Sequence, residues 1–246
     1  MAKQTRSKSK AILRLLEDTY GPREFPGPQC AVDVLVGTIL SQNTSNRNSS
    51  VGFAQLKRRF RTWDAVADAP TSSIAAAIRA CGLNRTKAPR IKGILRRIRQ
   101  TRGRIDLEFL RDLPTGRAYE YLLQFSGVGP KTALCVLMFA FSKEVLPVDT
   151  HVYRVTRRLG LLPDSASKAT AHKVLTPLIA PANRYALHVL LVAHGRRICL
   201  AHCPRCVECC LLKVCSCRRD RTSGKAPARK RTARPPGGTN HVLSTV

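Results

Sequence analysis

Hydrophobic residues recur along most of the chain at intervals of three and four positions, the spacing that places side chains on one face of an α-helix. Two stripes show this pattern clearly: Val32, Leu35, Val36, Ile39 and Leu40 in the first, and Ile91, Ile94, Leu95 and Ile98 in the second. The helix of the second stripe carries positive charges that we expect on its exposed side: Lys87, Arg90, Arg96, Arg97 and Arg99. Because no convincing period-two alternation occurs, the pattern predicts an all-α fold.

One predicted helix, at residues 133–141, is apolar on almost every side, as a buried central helix should be. A glycine turn, Gly127-Val128-Gly129, leads into it through Pro130 and Lys131. The exposed N–H groups of such a turn, together with the helix dipole, can hold a phosphate. The amine of a lysine at this position is a candidate nucleophile. The alternative is a plain start of a helix.

The charge balance of the chain indicates what class of partner it binds. The 246 residues include 43 Lys and Arg against 15 Asp and Glu, a net charge of +28. A surplus of this size indicates a polyanionic partner, usually nucleic acid, unless it forms only a solvated surface or a tail. No apolar run approaches the ~20 residues of a membrane span, and the basic start lacks the apolar core of a secretory signal. We therefore expect a soluble, intracellular protein whose partner is a nucleic acid.

Both ends of the chain are polar and basic. Residues 1–9 and residues 218–246 are rich in Lys, Arg, Ser, Thr, Pro and Gly. Segments of this composition cannot bury enough apolar surface to fold by themselves. We expect both to be disordered and to add nonspecific affinity for a polyanion.

The cysteines are concentrated near the C-terminus: seven of the ten lie in residues 199–217. An intracellular chain is a poor candidate for a disulfide scaffold. Cys199, Cys206, Cys209 and Cys215 have the spacing C-x6-C-x2-C-x5-C, and four thiolates in a short loop can close around a soft metal centre. A four-cysteine zinc site is an alternative. A ferredoxin-like register that begins at Cys203 would need a further cysteine and a proline that are absent.

Polar residues cluster after the first stripe, in the loop Ser41-Gln42-Asn43-Thr44-Ser45-Asn46-Arg47-Asn48. So many amides are unlikely in a core, because each carries donors and acceptors that need partners. A simple exposed loop with a helix cap would also explain them. A second turn, at Gly82-Leu83, precedes the basic helix.

The glycine turn with its lysine, followed by Val148-Asp149-Thr150-His151, resembles the helix-hairpin-helix DNA glycosylases and endonuclease III in particular. Asp149 follows Lys131 by 18 residues, as the family's aspartate follows its lysine. The resemblance implies that Lys131 and Asp149 are catalytic, although Asp149 also suits the N-cap of the next helix. It further implies a [4Fe-4S] cluster on Cys199, Cys206, Cys209 and Cys215, with Cys203, Cys210 and Cys217 as bystanders.

The same resemblance implies a set of DNA-contacting residues. They are Gln42, Asn43, Leu83, Gly127, Val128, Gly129, Lys131 and His151. In the family a glutamine enters the gap left by the flipped nucleotide, and a leucine wedges between bases, a device that kinks DNA. Here Asn43 occupies the glutamine position and Gln42 comes one residue early. Asparagine occupies this position in the related oxoguanine glycosylases, so the preferred base stays open.

The resemblance also implies an organisation in two domains. Residues 31–143 would form a six-helix domain with the hairpin, and residues 10–30 plus 144–217 a domain with the iron-sulfur loop. The expected function is that of a bifunctional DNA glycosylase/AP lyase, acting as a monomer on double-stranded DNA with damaged bases or abasic sites. Oxidised pyrimidines are the default substrate. A mismatch-specific thymine or uracil glycosylase and a noncatalytic DNA-binding protein are the alternatives.

Overall fold

The computed structural model describes the backbone of residues 2–217 and the side chains of residues 4–217. Within that range the secondary structure consists of α-helices and short 3-10 helices, without a strand, so the all-α prediction is confirmed. None of the described helices is both long and apolar enough to cross a bilayer. The predicted basic tail, residues 218–246, lies outside the described part of the chain.

The α-helices, in chain order, are α1 Ala2–Tyr20, α2 Ala31–Leu40, α3 Asn46–Arg59, α4 Trp63–Asp68, α5 Thr71–Ala77, α6 Asn84–Arg102, α7 Thr115–Leu123, α8 Pro130–Phe141, α9 Thr150–Arg158, α10 Ala171–Leu175 and α11 Arg184–Arg197. The 3-10 helices are Arg79–Cys81, Glu108–Leu110, Thr176–Leu178, Pro181–Asn183, Cys206–Glu208 and Leu212–Val214.

The chain divides into two compact units. The first, here called the hairpin unit, comprises Phe25–Pro147. The second, the cysteine unit, comprises, among the described residues, residues 2–24 and residues 148–217. The domain boundaries predicted from sequence, at residues 31 and 143, stay a prediction.

The core of the hairpin unit is built on α8. Every residue from Thr132 to Phe141 is buried, which agrees with the absence of a polar face in that segment. Helices α2 and α7 pack against α8, while α4 and α5 pack against α6. An all-apolar helix of this kind must be enclosed by neighbours, and this enclosure fixes the hairpin that precedes it.

In the cysteine unit, α1 and α9 both pack against α11. The prediction of a disordered N-terminus at residues 1–9 was wrong, because α1 begins at Ala2. Tertiary contacts hold this basic segment: Ser9 Oγ donates to the carbonyl of Leu178 at 2.9 Å, and Lys8 Nζ donates to Ser216 Oγ at 3.0 Å. Composition alone could not reveal these partners, since they lie more than 160 residues away in the chain.

Candidate nucleic-acid interface and cysteine loop

The hairpin, residues 124–129, joins α7 to α8. Its turn is closed by the N–H of Val128, which donates to the carbonyl of Phe125 at 3.0 Å. Gly127 has φ +77°, a left-handed conformation that favours glycine. Gly129 caps α8 with extended backbone, and Pro130 is the first helical residue. Half-buried Lys131 therefore lies in the first turn of α8, as the sequence predicted.

The two hairpin glycines meet different surroundings. A Cβ at Gly127 would collide with the side chain of Arg90, which lies against the turn. A Cβ at Gly129 would find no atom within 4 Å. Gly127 is thus favoured by its backbone conformation, with the flexible Arg90 side chain close against the turn, whereas the surface of the hairpin beside Gly129 is open to an approaching group.

The amide loop, residues 41–45, contacts the hairpin through Gln42. Its Nε2 donates to the carbonyl of Gly127 at 3.3 Å, and its Oε1 accepts a hydrogen bond of 3.1 Å from Arg90. Asn43 is exposed and has φ +53°, a conformation that asparagine tolerates better than most residues. Of the two amides predicted to contact DNA, Asn43 is the one directed away from internal partners.

The leucine loop, Gly82-Leu83, places an apolar side chain in solvent on strained backbone. Both residues have positive φ, +63° and +48°, and Leu83 is 55% exposed. Left-handed backbone costs a leucine roughly 1–2 kcal/mol. Such strain persists only where the surroundings impose it, and it is concentrated at functional sites. This geometry suits the predicted role of Leu83 as a wedge, which stays a prediction.

Helix α6 connects these loops through Lys87, which sequence reasoning placed on the exposed side. Lys87 is only 1% exposed, and its Nζ donates to the carbonyls of Leu40 at 2.8 Å and Cys81 at 2.9 Å. Burial lowers the pKa of this lysine. The spacing of Lys87 in the sequence could have predicted this burial. Lys87 precedes Ile91 by four residues and Ile98 by eleven, so it lies on the same helix face as the apolar stripe.

Asp149, in the cysteine unit, is the N-cap of α9. Its Oδ1 accepts hydrogen bonds from the N–H groups of His151 at 2.8 Å and Val152 at 2.7 Å. Both of these bonds use the same carboxylate oxygen. The cap suggested by the sequence is therefore present, and it accounts for only one oxygen of the half-buried side chain.

His151, predicted to contact DNA, packs within the cysteine unit. Its Nδ1 lies 3.1 Å from an Arg154 nitrogen, and a Cβ at Gly195 would come within 2.9 Å of the His151 Cβ. Burial is the main cause that lowers the pKa of His151. The half-buried ring is thus partly engaged by α9 and α11, and its DNA contact stays a prediction.

The cysteine loop, residues 199–217, lines an open cavity of about 250 Å³ together with Arg158 and Ile198. Its lining includes the four predicted ligands, Cys199, Cys206, Cys209 and Cys215, and also Cys217. Cys203 and Cys210 are not among the lining residues. Arg158 donates to Cys199 Sγ at 3.2 Å. A thiol-lined cavity with apolar walls fits a soft metal centre, and a hydrogen bond to sulfur is a usual feature around such a group.

Two further observations bear on this cavity. Burial raises the pKa of Cys209 to about 11, so a bound metal would have to displace the proton of this thiol. Within residues 2–217, no group of three or more His, Cys, Asp or Glu side chains is arranged to hold a metal ion. The cluster predicted from sequence therefore stays a prediction, which the identity of the lining residues supports and the arrangement of the thiols does not.

Comparison with known proteins agrees with this architecture. Residues 36–181 match the model of the HhH-GPD superfamily of base excision DNA repair proteins. A candidate DNA glycosylase of Arabidopsis thaliana is 42% identical over 188 residues, which cover 76% of this chain. The chain spans 64% of the length of that relative.

Endonuclease III of Thermotoga maritima is 35% identical over 208 residues, which cover 82% of this chain and 89% of that protein. A solved structure of a trapped endonuclease III–DNA covalent intermediate, the estranged-adenine complex, superposes with a TM-score of 0.74 at 25% identity. The match covers 88% of this chain and 98% of that one. The family inferred from the hairpin and the cysteines is thereby confirmed, and the chain belongs to the endonuclease III-like members of the HhH-GPD superfamily of base excision DNA repair proteins.

Proposed function

We propose that this protein is a bifunctional DNA glycosylase/AP lyase that removes a damaged, oxidised pyrimidine and then cuts the strand 3′ to the abasic site. The observation that carries the proposal is the position of Lys131 in the first turn of α8, directly after a hairpin whose Gly129 is open to a phosphate. A DNA backbone held at the hairpin would bring the sugar of one nucleotide to the amine.

The first chemical step is displacement of the base. The C1′–N bond is hidden by base stacking, so the nucleotide must leave the duplex before a side chain can reach it. The neutral Lys131 amine attacks C1′, and a bond forms between Nζ and C1′. The C1′–N bond to the base breaks, and the base departs with its electron pair and takes up a proton.

The second step cuts the strand. Nζ first loses a proton, and its lone pair then forms a C=N bond to C1′ as the C1′–O4′ bond breaks and O4′ takes up a proton, which opens the sugar ring and gives a protonated imine. This cation acidifies the C2′ hydrogen. Loss of that proton and departure of the 3′ phosphate with the C3′–O electron pair complete a β-elimination. Hydrolysis of the imine returns free Lys131, so the lysine acts as a covalent catalyst.

Asp149 would act on the charge that develops during base departure. The sugar gains positive character as the C1′–N bond breaks, and a fixed carboxylate stabilises it without reorganisation. The same group can take a proton from the lysine amine. Capping of α9 through Oδ1 holds this carboxylate in one orientation and keeps it from rotating freely.

Three loops of the hairpin unit, namely the hairpin, the leucine loop and the amide loop, would hold the duplex from which the nucleotide is flipped. The hairpin binds backbone phosphate, Leu83 enters the base stack from the leucine loop, and Asn43 occupies the space left by the nucleotide. Contacts of Gln42 and Arg90 join the amide loop to the hairpin. Net charge of +28 supports an additional nonspecific attraction to DNA.

The cysteine loop would hold a [4Fe-4S] cluster through Cys199, Cys206, Cys209 and Cys215. Such a cluster supplies thiolate-to-iron bonds that cross-link the loop and takes no part in bond cleavage here. With the cluster bound, the loop would fold its basic residues, which include Arg205 and Lys213, into a surface for DNA. The thiol lining of the cavity supports this assignment.

A cysteine substitution tests the cluster. We expect purified protein to be yellow-brown with about four irons per chain, because thiolate-to-iron charge transfer absorbs visible light. Cys199→Ser should lose both colour and iron, since Cys199 lines the cavity, whereas the matched control Cys203→Ser should keep them, since the exposed Cys203 does not. Visible absorbance and metal analysis measure the result. Colourless protein with stoichiometric zinc would refute the cluster.

The substrate is tested by borohydride trapping on a panel of duplexes. Wild-type protein should form a reducible covalent complex with an abasic duplex, which reports the lyase chemistry. Among duplexes with an intact base, thymine glycol should react faster than uracil or thymine opposite guanine. The opposite order would favour the mismatch-specific alternative, to which the exposed Asn43 at the usual glutamine position gives some support. Absence of trapping on every duplex would exclude the lyase chemistry, and an assay of base release would then separate a monofunctional glycosylase from a noncatalytic DNA-binding protein.

A further inference from the structure

The buried amine of Lys87 connects the bases of two loops. One of its acceptors, Leu40, is the last residue of α2 and immediately precedes the amide loop. The other, Cys81, is the last residue of the 3-10 helix Arg79–Cys81 and immediately precedes the leucine loop. A single ammonium group therefore touches the chain at the start of both loops.

Both acceptors are carbonyls at helix ends. Such carbonyls lack the intrahelical partner that interior carbonyls have, and they carry the partial negative charge of the helix terminus. A buried ammonium is costly unless it is hydrogen-bonded. The arrangement satisfies both requirements with one side chain, so that removal of the amine would leave two buried carbonyls without a donor.

The backbone of Lys87 adds a third connection. Its N–H donates to the carbonyl of Leu83 at 2.8 Å, within the first turn of α6. Lys87 thus holds the leucine loop through its backbone and through its side chain, and the amide loop through the same side chain. On the other side of Cys81, its Sγ occupies the space that a side chain at Gly52 would need, which fixes the base of the leucine loop against α3.

We propose that Lys87 is a positioning residue that sets the separation between the amide loop and the leucine loop, so that Asn43 and Leu83 enter a DNA duplex together. The proposal rests on the proposed function, in which these two residues fill and wedge the duplex. Both have positive φ, +53° and +48°, and such backbone needs a rigid base to persist. Lys87 itself contacts no substrate, because it is buried.

The test uses Lys87→Met, which keeps the apolar stem and removes the donor. The matched control is Lys92→Met on the same helix, whose amine donates to a single carbonyl, Ala69, outside both loops. The probe is a duplex with 2-aminopurine opposite a tetrahydrofuran abasic analogue, which cannot form an imine. Insertion of Leu83 and Asn43 into the duplex unstacks 2-aminopurine and raises its fluorescence. Because the analogue forms no imine, this readout does not depend on the chemistry of Lys131.

At saturating protein, wild type and Lys92→Met should give the full fluorescence rise. Lys87→Met should fall to the level of Leu83→Ala while it still binds the duplex. Its trapping rate on an abasic duplex should fall on the order of tenfold to 100-fold, since a misplacement of about 1 Å in a catalytic arrangement can cost ~100-fold. Full fluorescence in Lys87→Met, or loss of DNA binding together with the signal, would overturn the proposal.

A second variant covers failure to fold. If Lys87→Met lacks a cooperative thermal transition, Lys87→Gln, which keeps a shorter donor, should fold and give a reduced fluorescence rise. A full rise in that variant would equally overturn the proposal. Failure of wild-type protein to trap abasic DNA while its fluorescence rise persists would count against the proposed lyase chemistry and leave the role of Lys87 standing.

Discussion

Lys131→Gln should abolish both borohydride trapping and strand cleavage at abasic sites, while duplex binding is retained. Glutamine keeps similar length and a polar end but has no nucleophilic amine, so no imine can form with C1′. The substitution should not lower the midpoint of thermal unfolding. Lys131 lies in the first turn of α8, where a positive charge opposes the helix dipole, and its removal relieves that opposition.

The matched control is Lys168→Gln, which removes one positive charge from an exposed lysine of the cysteine unit. It should trap and cleave at the wild-type rate. The measurements are trapped-complex yield on a denaturing gel and equilibrium DNA binding at one stated salt concentration. Undiminished trapping by Lys131→Gln would place the nucleophile elsewhere, with the N-terminal amine as the first group to block.

The helices and the hairpin were predictable because their signals are local. An apolar stripe repeats every three or four residues whatever the helix packs against, and residues 133–141 lack a polar face altogether. The turn before α8 follows from the conformations open to glycine and proline. The cysteine spacing likewise brought together residues that line one cavity.

The misplacement of Lys87 has a physical cause. The prediction relied on the charge of the residue and not on its position in the helix. Because lysine is rarely buried, a lysine on a basic helix was assigned to the solvent side. Its position in the apolar stripe pointed inward, and the burial is tolerated because two helix-end carbonyls accept hydrogen bonds from its amine. Those carbonyls come from α2 and from the 3-10 helix before α6, and no local pattern links them.

The orientation of Gln42 and the folding of the N-terminal helix could not be predicted from sequence for the same reason: both depend on partners that are distant in the chain. The sequence offered two adjacent amides and gave no indication of which one faces outward. The structure separates them, because Gln42 bonds to Gly127 and Arg90, 85 and 48 residues away. Residues 2–9 looked too polar to fold, yet Ser9 is buried against Leu178. Long-range hydrogen bonds therefore determine both the orientation of Gln42 and the folding of the N-terminal helix.

Asp149 has two separable properties, a hydrogen-bond acceptor that caps α9 and a negative charge. Asparagine and serine cap helices about as well as aspartate, whereas alanine does not. Asp149→Asn therefore removes the charge and keeps the cap that Oδ1 makes to His151 and Val152. Asp149→Ala removes both properties. The pair of variants distinguishes a catalytic carboxylate from a structural one.

We expect Asp149→Asn to slow base removal by ~100-fold or more, the usual scale for a positioned acid-base or electrostatic group, with DNA binding intact. Its free energy of unfolding should change little. Asp149→Ala should show a similar loss of rate and a further loss of ~1 kcal/mol in the free energy of unfolding, because α9 loses its cap. Single-turnover base release and urea denaturation measure the two quantities. If Asp149→Asn keeps the full rate and only Asp149→Ala is impaired, the carboxylate serves α9 alone, and stabilisation of the departing base must come from another group.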